Sequence, residues 1–348
     1  MLHFLNDYEE LGHPKVLDKL SANWGKYFPG YGYDEVSTKV REKIKKFTKC
    51  QNAESYLIAG GTLTNLLACS AFLYSYESII AADTAHIENL EAGAIEASGH
   101  KILTYPNVDG KLNAEIIEQA VRENTSETKT RPGLVFLANA SETGTIYSKQ
   151  ELSELSVVCR KHDLILFLDG ARLGFALASE KSDLTLETIA ELTDVFYIGG
   201  TKNGAIYGEA LVITNPYLQR NFIHAIKNRG ALLAKGYATA LQFEALFETA
   251  DGKDTEVFAE SLYYTAAKHA NKIAERLSEL FVEKGFALAS STDANQVFVY
   301  LPNELIVSLK NNVTFEVHSK GSTESKCRFV CTFANTVEDV DNLRDLLN

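Results

Sequence analysis

The chain has 348 residues, enough to bury a sizeable core without disulfide or metal staples. Apolar residues make up 45% and charged residues 23%, a balance that excludes a disordered chain. Asp and Glu outnumber Lys and Arg by 46 to 34, and the resulting net charge of −12 argues against nucleic-acid or anionic-membrane partners.

In chain order, short apolar runs alternate with amphipathic stretches. Strands are expected at Ser55–Ala59, Ser78–Ala82, Leu134–Ala138, Leu164–Asp169, Asp194–Ile198 and Ala210–Thr214. Apolar spacing of i, i+3, i+4 and i+7 predicts helices over Val36–Thr48, Leu63–Tyr76, Asn89–Ser98, Ala114–Asn124 and Lys149–His162. Alternation at this pitch, with strands apolar on both faces, points to an α/β fold with a mostly parallel sheet covered on both sides. After about residue 250 the rhythm changes. A long helix over Val257–Lys284 precedes strands at Phe286–Ala289, Gln296–Leu301, Val313–His318 and Cys327–Phe333 and a final helix over Val337–Leu347. The expected division is a large domain over 1–250, including the N-terminal segment, and a smaller α+β domain over 251–348.

The start, Met1-Leu-His-Phe-Leu-Asn-Asp, lacks the basic and apolar regions of a signal peptide, and no apolar run approaches the roughly 18 residues of a membrane span. Five widely spaced cysteines form no C-x-x-C pair, so free thiols in a reducing cytoplasm are expected. There is no P-loop, no G-x-S-x-G elbow, no H-E-x-x-H and no G-x-G-x-x-G. His86-x-Glu88 lacks the P-C-x-x-C of a zinc deaminase, and no metal is expected.

Four features carry chemistry. Gly60-Gly-Thr-Leu-Thr-Asn65 opens a helix after a strand, where small residues let backbone N–H groups approach a phosphate; taken alone it reads more readily as a tight turn with Thr62 as N-cap. His86 follows the next strand and is either a ring-facing group or a structural loop histidine. Asp169, in Asp169-Gly-Ala-Arg172, ends a buried strand where open sheets bind ligands, or else caps a helix or pairs with Arg172. Lys202, in Gly199-Gly-Thr-Lys-Asn-Gly204, follows a buried strand and is either a desolvated nucleophilic amine or an exposed loop lysine. Their order supplies a phosphate cradle, a flat group, a carboxylate and a lysine. Pyridoxal phosphate, with its phosphate, pyridine ring and aldehyde, needs those four roles.

With Tyr31-Gly-Tyr-Asp-Glu35, Gly60-Gly-Thr-Leu-Thr-Asn65, Ala85-His86, Glu91-Ala-Gly93, Asp169-Gly-Ala-Arg172 and Thr201-Lys202 in hand, the chain resembles the threonine aldolases of the β-eliminating lyase superfamily from about Asn6 to the C-terminus. The resemblance implies the aspartate-aminotransferase-like architecture of fold-type-I pyridoxal-phosphate enzymes. In that architecture Lys202 carries the cofactor as a Schiff base, Asp169 pairs with the ring nitrogen and His86 stacks on the ring. Gly61, Thr62 and Thr201 lie at the cofactor. Arg172 lies near its phenolic oxygen or the substrate carboxylate, which Arg328 and Asn6 also hold. Lys235 reaches a phosphate and Tyr31 a dimer interface, as expected of a homodimer or homotetramer with sites shared between subunits. Two positions depart from the family pattern. Asn6-Asp7 replaces a Ser-Asp pair, and Asn139-Ala-Ser-Glu-Thr-Gly144 has no histidine near Ser141, leaving Glu142 or a water as the base. The implied reaction is retro-aldol cleavage of β-hydroxy-α-amino acids, threonine or allo-threonine, to glycine and acetaldehyde. The alternatives are β-elimination, racemisation or transamination on the same cofactor, and, more remotely, a silent interaction protein of this fold.

Overall fold

The computed structural model describes residues 1–347. In chain order its strands are β1 (Leu2–His3), β2 (Glu54–Ile58), β3 (Glu77–Ala82), β4 (Lys101–Tyr105), β5 (Arg131–Ala138), β6 (Ile165–Asp169), β7 (Val195–Gly199), β8 (Glu209–Ile213), β9 (Gln296–Pro302), β10 (Val313–Thr314), β11 (Glu316–Ser319) and β12 (Glu324–Val330). Seven of them form a sheet in the order β2-β8-β7-β6-β5-β3-β4. All neighbours in it pair parallel except β8, which runs antiparallel to both β2 and β7.

Strand residues alternate between the two faces. Leu166, Leu168, Phe196 and Ile198 join one apolar cluster with the helices Glu35–Thr48, Lys149–Lys161 and Tyr237–Phe247. Phe167, Val195, Tyr197 and Leu211 join the other, against the helix Gly61–Ala71. Being buried on both faces, these strands show no polar side, as their continuous apolar runs predict. Asp169 continues the alternation of Phe167, so its carboxylate points to the Gly61–Ala71 side at the C-terminal end of β6.

The six strands read from apolar runs all form, with ends shifted by up to three residues. Several segments differ from expectation, among them the run read as one strand over Val313–His318, which divides into β10, paired with β1, and β11, paired with β12. β4 completes the sheet at its edge, where partial exposure dilutes its apolar character. The stretch read as a helix over Asn89–Ser98 is a short helix, His86–Asn89, then turns and a 3-10 turn at Glu96–Ser98, because Ala92 and Gly93 take positive φ values (52° and 72°). The run Phe286–Ala289 makes only a bridge from Leu288 to Val299.

After residue 250 the helix Leu262–Glu283 packs beside the antiparallel sheet β11-β12-β9, with Phe281, Val297, Val299 and Phe329 in its core. β1 pairs with β10, and Phe4 lies in this C-terminal cluster instead of packing on the seven-stranded sheet. The N-terminal segment therefore crosses between the two cores.

Candidate functional site

The C-terminal ends of β6 and β7 converge on a set of polar side chains. Asp169, 5% exposed, is held by three donors. Its Oδ1 accepts from the Tyr197 hydroxyl (2.5 Å) and the Ala171 N–H (2.9 Å), and its Oδ2 from the Asn65 amide (3.0 Å). Tyr197 lies on the same sheet face as Phe167 and Asp169. Asn65 comes from the first turns of the helix Gly61–Ala71 and shares the face of Gly61, four positions earlier. Gly170 makes the strand end possible: a Cβ there would stand 1.6 Å from the Tyr197 carbonyl oxygen.

The helix Gly61–Ala71 begins after Gly60, and no side chain caps it. Thr62 is exposed and is not the cap. An uncapped N-terminus leaves N–H groups and a partial positive charge for an anion. A Cβ on Gly61 would meet the Tyr197 hydroxyl at 3.4 Å, so this terminus adjoins the donor of Asp169.

Lys202 lies in the turn after β7 and is only partly exposed. Burial lowers its pKa, the Arg172 charge adds to this, and Asp7, Asp169 and Glu209 oppose it. The net direction favours a neutral, nucleophilic amine. The exposed-loop alternative for Lys202 is therefore overturned by its surroundings. Arg172 does not pair with Asp169; its guanidinium makes two bonds to Asp7, Nε–Oδ2 at 2.8 Å and Nη2–Oδ1 at 3.0 Å. Burial alone would raise the Asp7 pKa, but Arg172, with help from Lys202 and Asn295, holds it below the ordinary value.

His86 opens its short helix with Nδ1 2.9 Å from Glu91 Oε1, and the same oxygen accepts from Asn65 (2.8 Å). The backbone N–H of His86 donates to Glu142 Oε1 at 2.9 Å. Burial pushes the Glu142 pKa up to about 7, against the pull of backbone hydrogen bonds, with Asp169 adding to the rise. Arg328, on β12, pairs with Glu316, while its Nε is buried with no partner; burial, then the charge of Arg172, lowers its pKa. The Asn6 side-chain oxygen accepts the Tyr8 N–H (2.9 Å), which fixes that amide next to Asp7.

Tyr31 and Lys235 stand elsewhere. The Tyr31 N–H donates to the Ala234 carbonyl, Lys235 is exposed, and Tyr31 lines a cavity of about 410 Å³ with Arg41, Lys45, Tyr56 and Leu232. Among the described residues no hydrogen bond, ion pair or ring contact joins either to Lys202 or Asp169. Both are exposed on this chain, away from the cluster.

The structure adds Asp7, Asn65, Tyr197, Glu209 and Asn295, and gives Glu91 a position. Asn65 and Glu91 sit inside quoted motifs and were within reach of sequence reading. Tyr197 and Glu209 lie in apolar strands, with no local pattern to mark them.

The set suits a ligand carrying a phosphate, a basic ring nitrogen and an aldehyde. The uncapped helix, the Asp169 carboxylate and the Lys202 amine supply one partner for each. Asn65 Oδ1, Glu91 Oε2 and Arg328 Nε are buried without protein partners, as atoms reserved for a polar guest are.

A sequence model described as "Beta-eliminating lyase" matches residues 18–304. A low specificity L-threonine aldolase of a Pseudomonas species is 32% identical over 289 residues, covering 81% of this chain and 79% of that protein. Another, from Pseudomonas aeruginosa, is 30% identical over 320 residues, covering 91% and 88%. Among solved structures, a Leishmania major threonine aldolase superposes with a TM-score of 0.95 at 40% identity, covering 100% of this chain and 98% of that one. A Sphingomonas wittichii serine palmitoyltransferase, 13% identical with a TM-score of 0.74 over 99% and 86%, shares the fold.

Proposed function

Because this chain belongs to the β-eliminating lyase family, we propose that it is a pyridoxal-phosphate-dependent aldolase cleaving L-threonine and L-allo-threonine to glycine and acetaldehyde. Its architecture is that of the fold-type-I pyridoxal-phosphate enzymes. The observation that carries the reading is the desolvated Lys202 amine placed with Asp169 at the strand ends. When bound, pyridoxal phosphate supplies an aldehyde that condenses with amines and a protonated ring that accepts the electrons of the breaking Cα–Cβ bond.

The chain's own residues set the rest. The amine of Lys202, which burial biases toward the neutral form, would hold the cofactor through its aldehyde. Asp169, oriented by its three donors, would face the ring nitrogen and supply its counter-charge. The Gly61–Thr62 backbone would hold the phosphate, and Thr201 would lie at the cofactor beside Lys202. Glu91 fixes the His86 imidazole, which would cover one side of the cofactor. Arg328 grips the substrate carboxylate with a planar two-pronged fork, beside Arg172 and Asn6. That grip orients the substrate so that the Cα–Cβ bond is the one that breaks. Glu142 takes the β-hydroxyl proton. A pKa near 7 suits a base that must be ionised and still return the proton. Tyr31 and Lys235, exposed on one chain, serve the site of a second copy, with dimers or tetramers as the working form.

The test is the visible absorbance of purified protein with added cofactor. A yellow band that borohydride bleaches and that K202A lacks, with acetaldehyde released from threonine, supports the reading. Pyruvate from cysteine without acetaldehyde from threonine would turn it to β-elimination, and a protein that stays colourless would remove it.

A further inference from the structure

β8 alone runs against the seven-stranded sheet, and this places its first residue at the edge where the other strands end. That residue, Glu209, stands opposite Gly199 in the register and is 3% exposed. Its Oε2 accepts the Gly200 N–H (2.9 Å), and its Oε1 accepts the Thr201 hydroxyl (2.7 Å). The Thr201 oxygen in turn accepts the Gly208 N–H (3.0 Å). One buried carboxylate thus holds the two residues that precede Lys202 from the strand that follows it. The turn leaves no slack, since a Cβ on Gly200 would lie 2.5 Å from the Gly208 carbonyl oxygen.

Hydrogen bonding alone does not explain a carboxylate here, because burying an ionisable acid costs far more than burying a neutral acceptor. No cation makes a hydrogen bond to Glu209 among the described residues. The charged and titratable groups that face it are Lys202, Asp169, Tyr197 and Tyr263. Burial raises its pKa to about 7, with Lys202 opposing the rise and Asp169 adding to it.

We propose that Glu209 is the positioning residue of Lys202: its hydrogen bonds hold the turn that presents the amine beside Asp169, and its negative charge favours the protonated form of the Lys202 nitrogen once that nitrogen is joined to the cofactor. This rests on the proposed function. Removing a negative charge beside a cationic nitrogen lowers the pH at which that nitrogen loses its proton.

The experiment compares wild-type and E209Q proteins loaded with pyridoxal phosphate, titrating the visible absorbance of the bound cofactor against pH. The expected E209Q protein keeps its far-ultraviolet circular dichroism and binds cofactor, but its titration midpoint lies about one pH unit lower. An E209Q midpoint equal to the wild-type one overturns the proposal. If E209Q does not fold, T201V and T201S carry the test. Loss of the hydroxyl in T201V then displaces the midpoint and its return in T201S restores it; no displacement in T201V overturns the proposal. A wild-type protein that takes up no cofactor overturns the proposed function instead, so the two failures are distinguishable.

Discussion

Asp7 and Arg172 lie 165 positions apart in the chain and are joined by two hydrogen bonds, at 2.8 and 3.0 Å. Asp7 Oδ2 also accepts from the Asn295 amide at 3.0 Å, and Asn295 donates to the Cys331 carbonyl oxygen. One carboxylate therefore ties the N-terminal segment to the end of β6 and to the C-terminal core.

Replacing Asp7 by Asn leaves the Arg172 charge without its counter-ion in a buried place. The cost of breaking such a pair is about 3–5 kcal/mol, and the urea midpoint should fall accordingly. The folded-state pKa of Asp7 is depressed, so its contribution is present above the ordinary value of 3.8 and disappears as pH falls through the lower folded value. The gap between wild type and D7N should be constant in the neutral range and close only in strong acid. A neutral-pH difference below about 1 kcal/mol would be inconsistent with a buried pair.

Glu142 must be ionised to accept a proton. Because burial lifts its pKa to about 7, kcat/KM should rise as pH increases through about 7 and then level off. The E142Q variant should lose that limb, and its kcat should drop by about a hundredfold to ten-thousandfold. Wild-type kcat in E142Q would assign the proton transfer to another group, such as a water.

Arg328 offers a fork that lysine lacks. R328K should raise KM for threonine by about tenfold or more, since charge-assisted bonds are worth roughly 1.5–3 kcal/mol, while kcat changes less. Steady-state kinetics of R328K and R328A decide this, and an unchanged KM in both would place the substrate carboxylate elsewhere.

Tyr197 is pushed far above the ordinary phenol range, first by burial and then by Asp169, so it remains a protonated donor. Y197F should leave Asp169 with Asn65 and Ala171 as donors and cost about 1.5–3 kcal/mol in urea unfolding. Cofactor dissociation should also be faster. Equal stability and equal dissociation would mean that Asp169 needs no third donor.

Local pattern was enough for the five inner strands and the edge strand β2, and for four of the helices that cover them, because burial on both faces writes a continuous apolar run and packing on one face writes a 3.6-residue stripe, whereas the wholly buried helix Tyr237–Phe247 shows no stripe and was not read. It was also enough to single out Lys202, Asp169, His86 and the Gly60–Asn65 turn, whose chemistry is contained in short motifs. The same local reading missed β4, whose exposed edge position blurs its pattern, and it took the glycine-containing turns near residue 92 for helix.

What the tertiary structure alone decided is which distant charges meet. Arg172 had two carboxylates to choose between, and the crossing N-terminal segment gave it Asp7 and left Asp169 to Tyr197, Asn65 and Ala171. Glu209 stands just before the apolar run Ala210–Thr214, with nothing to mark it, until the reversal of β8 sets it beside the Lys202 turn. The physical reason is common to both cases. Backbone periodicity is a property of neighbours along the chain, whereas the partner of a buried charge is fixed by whichever groups the packed elements bring within hydrogen-bonding reach.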